Sequence, residues 1–124
     1  MEVNLRKIGN FYHTFDDDAY IMHYFFNYKI INNKAGFPIS SLTKIINTLE
    51  DHKINYILDS TKKDYKKNNK YNYYKTKGIK KYQNNKIKEN VLNNIDNLKA
   101  NDKEKLLKLI QNFVVNHIWM INLK

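Results

Sequence analysis

The sequence predicts an α/β (α+β) protein, a small mixed sheet with two packed helices followed by a basic helical C-terminal extension. Three observations carry this prediction. Phe11, His13 and Phe15 alternate with Tyr12 and Thr14, the period of two that puts neighbouring side chains on opposite faces of a sheet. Directly after them, Asp16, Asp17 and Asp18 open a run in which Ala19, Ile21, Met22, Phe25 and Phe26 have the spacing of an apolar helix face. From Thr61 onward the composition turns to lysine, asparagine and tyrosine. The boundary therefore falls near residue 60: residues 1–60 read as an α/β module, and residues 61–124 as a basic segment with C-terminal helices.

In order along the chain, Met1 to Lys7 lead into the first strand, with Val3, Leu5 and Ile8 facing the core. The aspartates suit a helix start, since a carboxylate accepts from free backbone N–H groups and sits well at the positive end of the helix dipole. Tyr28 to Ile31 read as a second short strand. Asn32-Asn33-Lys34 then form a turn, because asparagine tolerates left-handed backbone geometry. Gly36 and Pro38 mark a loop or bulge. Ser40 or Ser41 caps the next helix, whose stripe is Leu42, Ile45, Ile46 and Leu49, and Ile54 to Leu58 form the third strand. Thr61 to Lys70 are polar enough for a linker or mobile loop. Tyr71, Tyr74, Ile79 and Tyr82 can share a helical face, which Gly78 weakens. Ile87, Val91, Ile95 and Leu98 continue at helical spacing. Ala100-Asn101-Asp102 read as a break with Asn101 capping and Glu104 in the capping-box position. The last helix carries Leu106, Leu107, Ile110, Phe113, Val114, His117, Ile118 and Ile121.

Hydrophobic residues at 42% suffice for a core, so general disorder is not expected. The absence of cysteine removes disulfides, thiolate metal sites and a cysteine nucleophile, and suits a reducing interior. No apolar run approaches a membrane span and no secretory leader is evident, so the expected location is cytoplasmic. The formal net charge of +10 is unevenly placed. Residues 61–90 hold eleven lysines against Asp64 and Glu89, whereas residues 1–60 are close to neutral. A bias toward Lys, Asn, Ile and Tyr does not by itself produce that segregation.

Two blocks carry a resemblance. Gly9-Asn10-Phe11-Tyr12-His13-Thr14-Phe15 with Asp18-Ala19, and then Lys34-Ala35-Gly36-Phe37-Pro38-Ile39-Ser40-Ser41-Leu42, resemble in order and spacing the N-terminal mismatch-recognition domain of the MutS DNA-repair family. The likeness covers about residues 5–60. It implies that Phe11 stacks on a base at a mispair, entering from the minor groove of kinked DNA. An apolar wedge of that kind recovers stacking energy at a step where unstacking costs least. His13 stands where the family carries a glutamate that hydrogen-bonds the mispaired base, and Asn10 stands where it has aspartate. Imidazole can donate or accept one such bond, but without the carboxyl group's geometry or charge. Alternation alone reads Phe11 as a core residue of the strand; the resemblance sets the stacking role beside that reading.

The segment from Lys62 to Lys88 is the second candidate. Lysines neutralise phosphates and tyrosines offer stacking platforms, which nominates Lys62, Lys63, Lys66, Lys67, Lys70, Lys75, Lys77, Lys80 and Lys81 alongside Phe11 and His13. A solvated helix face fits the same residues. The four histidines show no metal-ligand spacing, and no phosphate-binding Gly-Lys-Ser/Thr loop, Gly-x-Ser-x-Gly elbow or nucleophile–base pair is evident. Neither catalysis nor a cofactor is expected. With no ATPase in the sequence, mismatch repair by this chain alone is not expected either. The leading expectation is a non-catalytic nucleic-acid-binding protein, for DNA more than RNA, on distorted duplex or hybrid. The alternative is a protein-interaction module that docks on an acidic protein surface, such as an accessory subunit or inhibitor encoded by a mobile element. Self-association through the C-terminal helix is a third possibility, and no membrane partner is expected.

Overall fold

The computed structural model describes the backbone of residues 1–122 and the side chains of residues 1–116. His117, Ile118 and Ile121, expected on the last apolar face, have side chains outside the described residues. The first compact unit runs from Met1 to Asn84 and the second from Asn85 onward.

A mixed sheet of five strands organises the first unit, in the order β3-β2-β1-β4-β5. Strands β1 (Val3–Ile8) and β2 (Phe11–Phe15) form a hairpin in which Ile8 pairs with Phe11, so residues read as a lead-in are a strand of their own. Gly9 occupies the first corner at φ +63°, the position where a two-residue turn of the II′ kind needs a residue free to take positive φ. Ile8 consequently points away from the core and is 56% exposed, contrary to the expectation.

Helix α1 (Asp17–Phe26) follows, but Asp16 sits at φ 53° without a side-chain cap hydrogen bond. The carboxylate that does structural work is that of Asp18. Its Oδ2 accepts from the Asn4 backbone N–H at 3.0 Å, and its Oδ1 accepts from the Tyr71 hydroxyl. Tyr28 to Ile31 are not a strand; only Ile31 bridges, to Lys34, across Asn32 and Asn33 at φ 52° and 61°. The left-handed turn is where the asparagines place it. Strand β3 is Lys34–Pro38, so Gly36 and Pro38 lie in the sheet and not in a loop.

Helix α2 (Leu42–Asp51) buries Ile45 and Leu49, after a short 3-10 turn over Ile39–Ser41, and the Ser41 side chain makes no cap bond. Strand β4 (Tyr56–Leu58) runs parallel to β1, and the Tyr56 hydroxyl donates to Glu50 Oε1 at 2.6 Å. Burial and that carboxylate push the Tyr56 phenol up to about 12.

Residues expected to link two domains instead continue the sheet. Thr61–Lys63 form β5, antiparallel to β4. Asn69 then accepts from the Asn55 and Tyr71 N–H groups while its amide donates to the Met1 carbonyl. The module therefore extends past residue 60, because backbone pairing and these amide bonds hold the lysine-rich stretch whatever its polarity.

Helix α3 (Tyr71–Asp96) begins within the first unit. Tyr71 is buried in the core with Val3, Leu5, Tyr12, Ala19, Ile21, Met22, Phe37, Ile45 and Leu49. Gly78 does not interrupt the helix; it lets α3 approach α1, since a Cβ there would lie 2.1 Å from the Tyr20 carbonyl oxygen. In the second unit, α4 is Ala100–Asn122, so Asn101 and Asp102 lie in its first turn and the break falls at residues 97–99.

Candidate nucleic-acid interface

Residues opposite one another in an antiparallel pair share a face, and neighbours along a strand alternate. Tyr12 pairs with Phe37 and Thr14 with Ala35, and all four are buried on the helix-covered side. The other set points away from α1 and α2. It comprises Ile8–Phe11–Pro38 across the three strands, then Arg6–His13–Gly36, then Phe15–Lys34. The face is open, with Phe11 50% exposed.

Phe11, His13 and Phe15 therefore form one row on β2. The His13 and Phe15 rings lie 6.4 Å apart, and the Arg6 guanidinium lies 5.2 Å from the centre of the Phe15 ring. His13 lies across Gly36, where a Cβ would come within 2.9 Å of its ring. Its Nδ1 is shielded from solvent with no hydrogen-bond partner. A cavity of about 340 Å³ adjoins it, lined by His13, Tyr28, Lys29, Ile31, Lys34 and Gly36. The structure thus places Phe11 and His13 on one accessible surface, and the core reading of Phe11 gives way to the exposed one.

The nominated lysines are divided. Lys62 shares the outer face through the Asn4–Ile57–Lys62 register, with its Nζ 3.9 Å from Glu2. Lys75 lies 3.9 Å from Asp17, and Lys81 donates to the Tyr24 carbonyl at 3.1 Å, at the C-terminal end of α1 where a cation offsets the dipole. These two hold α3 to α1. Lys63 and Lys77 lie over the rings of Tyr65 and Tyr73. Lys66, Lys67, Lys70 and Lys80 are exposed. Lys66 takes φ 54°, with its N–H on Asp64, a bond that holds the Asp64 carboxyl below its ordinary pKa. Because α3 packs on α1 around Gly78, Lys75, Lys77, Lys80 and Lys81 belong to the helix-covered side and not to the face that carries Phe11 and His13.

Sequence reasoning missed Arg6, Phe15, Lys29 and Lys34. Phe15 was visible in the alternation itself. Arg6 and Lys34 reach the same face only through the register of two hairpins, for which the Gly9-Asn10 and Asn32-Asn33 pairs were the available signal. A second cavity of about 360 Å³ is lined by Asp51, His52, Lys53, Lys70, Tyr73 and Tyr74, with the His52 and Phe25 rings 4.6 Å apart and tilted by 49°. Among the described residues no group of His, Cys, Asp and Glu could hold a metal ion, and no helix is long and apolar enough to cross a membrane. No protein-family model, no curated protein and no solved structure matches the chain.

Proposed function

We propose that this chain is a non-catalytic nucleic-acid-binding protein of the cytoplasm, and that it engages DNA in preference to RNA. It acts where a base is already unstacked, as in a distorted duplex or a hybrid. The observation that carries the reading is Phe11, half-exposed at the start of β2 on an open sheet face, with Ile8 and Pro38 flanking it. A ring in that position offers stacking to a displaced base, and the likeness of its sequence block to the MutS recognition domain supports the same role. His13 beside it supplies one hydrogen bond to a base edge. The exposed lysines of β5 and the α3 side supply a field that steers a polyanion.

The test is fluorescence anisotropy on labelled blunt, mismatched and hybrid duplexes across a salt series. Binding should fall log-linearly with salt. Phe11→Ala should weaken binding to the distorted forms by roughly 5- to 150-fold without changing the salt slope, as expected for loss of one stacked base. Equal, weak binding to every form, unmoved by Phe11→Ala, would refute the reading.

One observation favours a protein-interaction role for the second unit. Leu109 is 67%, Ile87 61% and Val115 57% exposed there, more apolar surface than a small helical unit ordinarily leaves to water.

A further inference from the structure

We infer that the nucleic acid taken by this face is a single strand, at least three nucleotides long at the site, with its bases laid on the row Phe11–His13–Phe15. The inference rests on the proposed nucleic-acid-binding role and replaces its distorted-duplex or hybrid target with a single strand.

The spacing of the rings decides between strand forms. Alternate residues of a strand stand about 6.8 Å apart, and the His13–Phe15 ring separation is 6.4 Å. Bases along one strand of B-DNA follow one another at about 3.4 Å. Each already stacks on both neighbours. One protein ring can enter a duplex at a single opened step. Three rings in a row at twice the base spacing would require several consecutive steps to melt. A stretched single strand meets that spacing without such a cost, because its bases are free to splay outward one per ring.

The surroundings of the row suit the same ligand. Arg6 lies over Phe15 and presents a planar cation that can stack on a base or turn to a phosphate. Lys34 pairs with Phe15 on β3, and Lys29 lines the cavity beside His13, so positive charge borders the rings on both sides. Glu2 lies on the β5 side of the sheet and is held by Lys62. The cavity gives the central base a recess beside the His13 imidazole. The absent Cβ at Gly36 is what lets the His13 ring approach the sheet there.

The experiment uses the full chain and four kinds of labelled probe: oligothymidylate and oligouridylate of two to eight nucleotides, a blunt duplex, and the same duplex with one mismatch. Phe11→Leu and Phe15→Leu keep apolar bulk and remove the flat ring, and thermal melting verifies that each stays folded. The expected result is single-strand binding at least tenfold tighter than to either duplex, strengthening up to about three nucleotides. Each leucine variant should then lose roughly 5- to 150-fold. Tighter binding to the mismatched duplex, with Phe15→Leu neutral and Phe11→Leu weakened, overturns the single-strand inference and leaves the wedge role standing. No binding to any probe by the folded protein overturns both.

Discussion

Residues Met1–Asn84 and the chain from Asn85 onward spend their hydrophobic residues in opposite ways. In the first unit Val3, Ile21, Met22, Ile45, Leu49 and Ile54 are wholly excluded from water. In the second, Ile95 at 5% exposure is the one large apolar residue buried among those described, while Val91, Leu92, Leu107, Leu109 and Ile110 stand between 41% and 67% exposed. Helix α3 runs through both regimes, with Tyr71 and Gly78 packed and Ile87 in water. Helical periodicity therefore predicts the helix equally well in both stretches and says nothing of whether its face is covered. Packing, not propensity, supplies most helical stability. The first unit accordingly holds its own fold, and the second presents a surface.

The sharpest way to break that contrast is at Gly78. A methyl group there must displace the Tyr20 carbonyl, which is backbone and cannot rotate aside. Gly78→Ala ordinarily favours a helix by removing glycine's entropy cost, so a purely local account predicts stabilisation. The close approach predicts the reverse: a loss of about 3 kcal/mol in chemical denaturation, as overpacking a fixed contact costs. It also predicts faster amide exchange along residues 71–82. A stabilised variant would mean that α3 is not seated on α1.

Next in size is the carboxyl group that joins β1, α1 and α3. Burial is the largest influence on Asp18 and raises its pKa, against the lowering by its bonds from Asn4 and Tyr71. The same contact, after burial, raises the Tyr71 phenol well above its ordinary value. The sign of the pH effect follows. Below the ordinary carboxylate range Asp18 is neutral in folded and unfolded chains alike. As pH rises, the unfolded chain ionises first, so this group's contribution to stability declines until the folded-state pKa is passed. Asp18→Asn should remove that decline. At pH 3 the variant should match the parent within about 1 kcal/mol, since the amide offers one acceptor and one donor to the same partners. Above pH 5 it should be the more stable of the two in urea titrations. A parent whose stability rises through this window instead would show that the hydrogen bonds outweigh burial.

What could be read from residues alone was local. The alternation of Phe11 to Phe15, the stripe of Leu42 to Leu49 and the turn at Asn32-Asn33 are short-range patterns, and each is found where its chemistry places it. What could not be read was long-range. The Thr61–Lys63 strand is polar throughout and becomes a strand only because β4 offers an unpaired edge. The lysines there also protect that edge from other chains. Asp18 looked like a cap because carboxylates at helix starts usually are caps. Its tertiary bonds to Asn4 and Tyr71 depend on residues 14 and 53 positions away. Lys75 and Lys81 were indistinguishable in sequence from Lys66 and Lys80, yet two hold a helix and two face water. The candidate interface was half legible for the same reason: Phe11 and His13 are neighbours in sequence, whereas Arg6 and Lys34 join them only through register.

The smallest expected effect tests the second unit directly. Leu109 is 67% exposed on α4, and Leu109→Gln keeps helix propensity nearly constant while removing apolar surface. If water is what this face meets, unfolding free energy should change by less than about 0.5 kcal/mol, as for surface substitutions generally. That value should hold at every protein concentration. If a second copy covers the face, the parent's melting temperature should climb with concentration and the variant's should not, because binding to the folded state alone stabilises it by mass action. Sedimentation of both proteins over a hundredfold concentration range separates the two outcomes. A concentration-independent monomer in both would mean that no second copy covers the exposed leucines and isoleucines.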